Sequence, residues 1–248
     1  MPDLGGSGRG SRKNPGGASE TPRRVRTKSF DIMEFIKDPA ERTTAITDIV
    51  LALVACGGIL FLRRAPADIN TLWKVNIWSA ALGLIGSGAA LGAVAHGLVI
   101  SRAAHDRIWQ VLNMALALAV SLFVAGVAYD LWGLAICLKV LPIMLIAGLV
   151  FFAATRLYPG IFFVFIVYEG LALFFALGAY VYLAARVGLN GAGFMAAGIL
   201  ISILAAGIQA HKSISLTLIW PFDHNGIYHI VQAAGLVLLI CGLRLSMI

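Results

Sequence analysis

Charge is scarce in this chain. Asp, Glu, Lys and Arg make up 12% of its 248 residues, against about a quarter in an ordinary soluble domain. Hydrophobic residues supply 60% and the mean hydropathy is +0.89, which excludes a water-soluble globular class and leaves an integral membrane protein. Cysteine is nearly missing too. Cys56, Cys137 and Cys241 each lie inside an apolar run, so a disulfide framework is excluded and the three read as small buried hydrophobes. No serine sits in a strand-to-helix elbow, and no strand precedes a glycine-rich loop. A Ser-His-Asp esterase and a phosphate-cradling loop are therefore disfavoured. Basic residues crowd near the start, where Arg9, Arg12, Lys13, Arg23, Arg24, Arg26 and Lys28 face only Asp3 and Glu20. The formal charge of +7 thus belongs to a tail and does not indicate nucleic-acid binding.

That tail, residues 1–29, is rich in Gly, Ser, Pro, Arg and Lys and is expected to be disordered, having too little apolar surface to bury. It lacks the apolar centre of a signal peptide, so the first long apolar run is expected to remain as an anchor. Phe30, Ile32, Met33, Phe35 and Ile36 alternate with Asp31 and Glu34 in a short segment suited to the bilayer surface. Asp38, Pro39 and Glu41 then supply an N-cap, a proline at the first helical position and a third-position glutamate, so residues 30–42 form the approach to a first helix.

A spanning helix needs about 20 mostly apolar residues, and the remainder, 43–248, holds seven such runs. They cover approximately 43–62, 74–100, 107–128, 131–154, 160–184, 191–210 and 225–245. The expected fold is an all-α membrane protein, a seven-helix transmembrane bundle. Breaks fall at Arg63 to Pro66, Ser101 to Asp106, Tyr129-Asp130, Arg156 to Pro159, Arg186 to Gly191 and His211 to Phe222. Trp73, Trp78, Trp109, Trp132 and Trp220 cluster near these ends, as interfacial aromatics do. Glycines such as Gly83, Gly86, Gly88, Gly92, Gly191, Gly193 and Gly198 imply close helix packing. The basic tail sets the N-terminus in the cytoplasm and seven spans carry the C-terminus to the opposite side. In a bacterial cell this membrane is the inner one.

Parity gathers the polar residues on the cytoplasmic side. His96 lies a turn before the end of the second span, Asp106 opens the third, Asp48 sits early in the first, and Asp223, His224, Asn225 and His229 open the seventh. Such groups are costly in a bilayer and usually face the bundle interior or water. Histidines and carboxylates at one depth are what a metal site requires. Asn225 and His229, four apart, share a helix face, whereas His224 reaches the same centre only from a cap position. The plainer readings are a hydrogen bond across helices for His96 and helix capping for Asp106, Asp223 and Asn225.

Three stretches carry a family resemblance. Ala90 to Leu98, containing Gly92 and His96, resembles the Ser-x-x-x-His segment of the CREST membrane hydrolases, which include alkaline ceramidases and the progestin and adipoQ receptors. Asp106-Arg107-Ile108-Trp109 is similar to the aspartate that opens their third helix. Asn225-Gly226-Ile227-Tyr228-His229 resembles their His-x-x-x-His in the last helix. The resemblance implies zinc held by His96, His229 and His224, a zinc-bound water of lowered pKa, and Asp106 orienting that water or taking its proton. The implied activity is hydrolysis of a lipid-like amide or ester reaching the site from the bilayer. Two positions depart from the pattern: Gly92 stands for the serine and Asn225 for the first histidine of the pair. Either His224 substitutes, with Asp223 as a further donor, or the metal has been lost.

Lys139 and Glu169 fall inside the fourth and fifth spans, where a bare charge costs on the order of 3 kcal/mol, so they are expected to pair or to mark a proton or ion path. The alternative functions are a receptor or small transporter with this fold, or a haem-binding electron carrier using His96 and His229.

Overall fold

The structure is a computed structural model that describes residues 34–65, 68–157 and 162–248. The tail over 1–29, the surface segment through Met33, and Pro66 and Pro159 of the expected breaks lie outside the described residues.

Seven helices among the described residues are long and apolar enough to cross a bilayer: α1 (Pro39–Leu62), α2 (Ile69–Gly97), α3 (Arg102–Trp132), α4 (Leu134–Leu157), α5 (Phe162–Tyr182), α6 (Ala192–Ala210) and α7 (His224–Leu245). The start of α1 follows the sequence: Asp38 is the N-cap, its Oδ1 accepting from Ala40 N at 2.8 Å, and Pro39 occupies the first turn. Ahead of it, residues 34–36 are extended, and Phe35 bridges antiparallel to Leu98 just after α2.

Two helix ends differ from expectation. Ser101, rather than Asp106, caps α3, its Oγ accepting from Ala104 N at 3.2 Å, and Asp106 falls within the helix. A hydroxyl earlier in the same polar stretch took the orphan amide first. At its other end α3 runs through Tyr129 and Asp130 to Trp132, and the break is made by Gly133 at φ 79°, a left-handed conformation costly for any other residue. Asp130 is thereby inside a helix instead of in a loop. Beyond α5, a single π-helical turn, Leu183–Val187, ends at left-handed Gly188. A short hairpin, β1 (Leu216–Thr217) paired antiparallel with β2 (Pro221–Phe222), joins α6 to α7.

Small residues set the tightest crossing. A Cβ on Gly198 of α6 would stand 2.5 Å from Gly235 O of α7, and one on Gly242 of α7 would stand 2.6 Å from Gly191 O. These backbones touch, as small residues permit in membranes. Trp78 of α2 lies wholly buried against Gly126 of α3, where a Cβ would meet its ring at 2.6 Å.

One end of the bundle collects the start of α1, the end of α2 and the starts of α3 and α7. The other collects their opposite ends and the end of α5. There Lys74 of α2 and Asp130 of α3 form a buried ion pair at 2.5 Å, extended by Lys74 Nζ to Ser246 Oγ at 2.6 Å and by the Tyr180 hydroxyl donating to Asp130 Oδ2 at 2.8 Å. Lys139 and Glu169 do not form such a pair: Lys139 lies on the exposed side of α4 while Glu169 faces inward.

Candidate functional site

The site grows from one face of α1. Thr44, Thr47 and Asp48, spaced three and four apart, all turn inward and are buried. Asp223 caps α7, and its Oδ1 accepts from both Gly226 N and Thr44 Oγ1, each at 2.8 Å. One carboxylate oxygen thus starts α7 and docks it on α1. That docking fixes the rotation of α7, so Asn225, Tyr228 and His229 face the interior one turn later.

His229 is held between two α1 side chains. Its Nδ1 lies 3.2 Å from Thr47 Oγ1 and its Nε2 3.3 Å from Asp48 Oδ1. The single Thr47 hydroxyl proton is directed to Thr44 O at 2.9 Å, which assigns the hydrogen at the first contact to Nδ1. Nε2 faces Asp48 Oδ1, close enough for a proton to pass between carboxyl and imidazole. The other oxygen, Asp48 Oδ2, is buried and has no hydrogen-bond partner among the described residues.

Gly92 explains itself in this setting. A Cβ there would lie 2.8 Å from Asp48 Oδ2 and 2.9 Å from Oδ1, so the Asp48 carboxylate fills the space a serine side chain would need.

Asp48, Gly92 and His229 line a partly open cavity of about 110 Å³, room for several waters, together with His96, Trp109, Asn113, Gln209, Asn225 and Tyr228. His96 Nδ1 is 2.7 Å from Glu41 Oε2, and its ring meets Trp109 edge-on at 5.7 Å between centroids. The same residue borders an open vestibule of about 510 Å³ with Glu41, Arg102 and His105. His96 is therefore the wall between the vestibule and the inner cavity. Further in, Tyr228 and Leu116 separate that cavity from another of about 100 Å³, lined by Glu169, Ser202 and Gln232.

Of the sequence candidates, Asp48, His96, Asn225 and His229 line one cavity, with Asp223 bracing it. Asp106 does not reach it: its side chain is 60% exposed and stands 4.0 Å from His105 Nδ1. His224, the first residue of α7, is not among the lining residues, and Asn225 is. The three-histidine set implied by the resemblance is not brought together, and among the described residues no three His, Cys, Asp or Glu side chains stand close enough to hold one ion. Glu41, Thr47, Asn113, Gln209 and Tyr228 were missed. Glu41 carries a signal, since a carboxylate opening the first span at the depth of His96 is its natural partner, but its third-position spacing from Asp38 also fits a capping box.

The arrangement defines a multi-pass membrane protein with a carboxyl group and an imidazole buried in contact near one end of a seven-helix bundle. The chain belongs to a family described as a family of unknown function (DUF6962), which matches residues 43–247. No curated protein and no solved structure matches it.

Proposed function

We propose that the protein is a small proton-linked membrane transporter whose working group is the Asp48–His229 pair. One observation carries the reading: a carboxyl group and an imidazole lie 3.3 Å apart, both buried beside a polar cavity, with one carboxyl oxygen left unpartnered. Buried groups of this kind are expensive in a bilayer and mark ion or proton pathways. Support comes also from the order of the cavities, which passes from Glu41 and His96 through Asp48 and His229 to Glu169. The seven basic residues before position 29 favour a cytoplasmic N-terminus, so the vestibule opens to the cytoplasm in this proposal. The test uses full-length protein in liposomes loaded with a pH-sensitive dye, under a pH gradient, alone and with a panel of small polar solutes. Proton movement above protein-free liposomes is expected, reduced roughly tenfold or more in Asp48→Asn and in Glu169→Gln, because neither amide exchanges a proton. Wild-type rates equal to empty liposomes across the panel, or unaltered in Asp48→Asn, overturn the reading.

A second reading, hydrolysis of a lipid-like amide or ester at zinc, is favoured by one feature. The Nδ1 atoms of His96 and His229 are each held, by Glu41 and Thr47, which is how ligating histidines are oriented. In that reading His96, His229 and Asp48, rather than His224, would draw together as ligands, and the metal would supply an activated water. Elemental analysis of purified protein decides it. Stoichiometric zinc that disappears in His96→Ala and His229→Ala is expected, and zinc-free wild type sinks it.

A further inference from the structure

Outside the polar cavity, on the exposed side of the α1–α2 pair, runs an apolar groove of about 730 Å³. Ile46, Ile49 and Leu53 stand out from α1, while Ala90, Ala93 and Gly97 leave the facing surface of α2 low. Along α1 the groove extends from Arg42 to Cys56, about 21 Å at 1.5 Å per residue. One leaflet's hydrocarbon is about 15 Å deep, so the groove is long enough to cross a leaflet and reach headgroup level.

Its outer end is built, not merely open. Ile36 N donates to Gly97 O at 3.0 Å and Val99 N to Glu34 O at 2.8 Å, which fastens residues 34–36 across the end of α2. Phe35 closes the groove there, and the Ile36 carbonyl accepts from Arg42 Nε at 2.5 Å. The guanidinium is thereby fixed at the mouth. Arg42 takes part in no ion pair among the described residues, while Glu41 contacts His96 at 2.7 Å and Glu34 contacts Lys37 at 3.9 Å.

We propose that this groove binds one anionic phospholipid, an acyl chain lying between α1 and α2 and the phosphate on Arg42. A fixed guanidinium at headgroup level suits a phosphate, which it engages through two parallel hydrogen bonds. The apolar length below it suits a chain and offers nothing to a polar solute. The inference is independent of the transport reading.

Native mass spectrometry of the full-length protein, released from detergent and titrated with phosphatidylglycerol or phosphatidylcholine of the same acyl chains, tests it. One phosphatidylglycerol per chain is expected, preferred over phosphatidylcholine by about fivefold, the scale of one cation at a membrane surface. Arg42→Ala removes the preference but leaves weak binding of both lipids, since the groove persists. Ala93→Trp, which fills the groove, removes both. Equal binding of the two lipids by wild type, a preference surviving Arg42→Ala, or retention surviving Ala93→Trp overturns the proposal. So does a dimer that Ala93→Trp abolishes while lipid retention persists, because a second copy would then be the occupant.

Discussion

The missing side chain at position 92 is a requirement set by Asp48. A methyl there would crowd both carboxylate oxygens to within 3 Å and push Asp48 off His229. Gly92→Ala is expected to cost about 1–3 kcal/mol, as overpacking does, and to reduce proton movement along with the loss of the pair. Thermal unfolding in detergent and the liposome assay measure the two effects. Wild-type behaviour in both would show that Asp48 has room to move. At the opposite end the single-residue chemistry is structural. Lys74 and Asp130 are buried against each other and further tied to Ser246 and Tyr180. Removing one partner strands a charge, so Lys74→Met or Asp130→Leu alone is expected to cost about 3–5 kcal/mol. The double variant is expected to recover much of that loss, because replacing both partners by apolar groups is often near neutral. Chemical-denaturation midpoints for the four proteins of this cycle give the coupling, and additive losses would mean that the pair does not act as a unit.

Among the elements, α6 and α7 pack most closely, and two glycines on α6 separate the reasons for it. Gly198 faces Gly235 O at a distance no Cβ tolerates, whereas Gly193 has nothing within 4 Å. Gly198→Ala is therefore expected to lower the unfolding temperature by prying two backbones apart. Gly193→Ala is expected to hold or raise it, since alanine favours a helix by about 1 kcal/mol over glycine. Equal shifts in the two variants would remove the close-packing argument. The helices themselves were legible in the sequence because twenty apolar residues in a row admit few other structures. The start of α1 was legible for the same local reason, with Asp38 and Pro39 adjacent. The start of α3 was not, since Ser101 and Asp106 both cap well and only the chain's path chooses between them. Lys74 and Asp130 were hidden because they lie at the edges of apolar runs, where a charge reads as solvent-exposed until the helices prove longer than the runs.

For the molecule as a whole, side and depth were readable and helix rotation was not. Counting spans brought Asp48, His96 and His229 to one end, where the cavity has them. Which way each helix turns depends on contacts such as Thr44 with Asp223, which no single apolar pattern encodes, and so Glu41, Asn113 and Gln209 went unseen while Asp106 and His224 were overvalued. The two ends now differ in kind. One holds a closed ion pair with both charges matched, and the other holds a buried carboxylate with an oxygen left over. A group kept at a cost to the fold is the pattern of function traded against stability. Asp48→Asn removes the exchangeable proton while keeping the shape, so the fold is expected to be as stable as wild type or more so, within about 1 kcal/mol if not favourable. Proton movement in liposomes is expected to fall in the same variant. Lys74→Met is expected to behave in the opposite sense, losing stability while the folded fraction keeps its activity. Paired unfolding and flux measurements on these two variants test the division of labour between the ends. A large stability loss in Asp48→Asn with flux intact would assign Asp48 to architecture and leave the cavity without a working group.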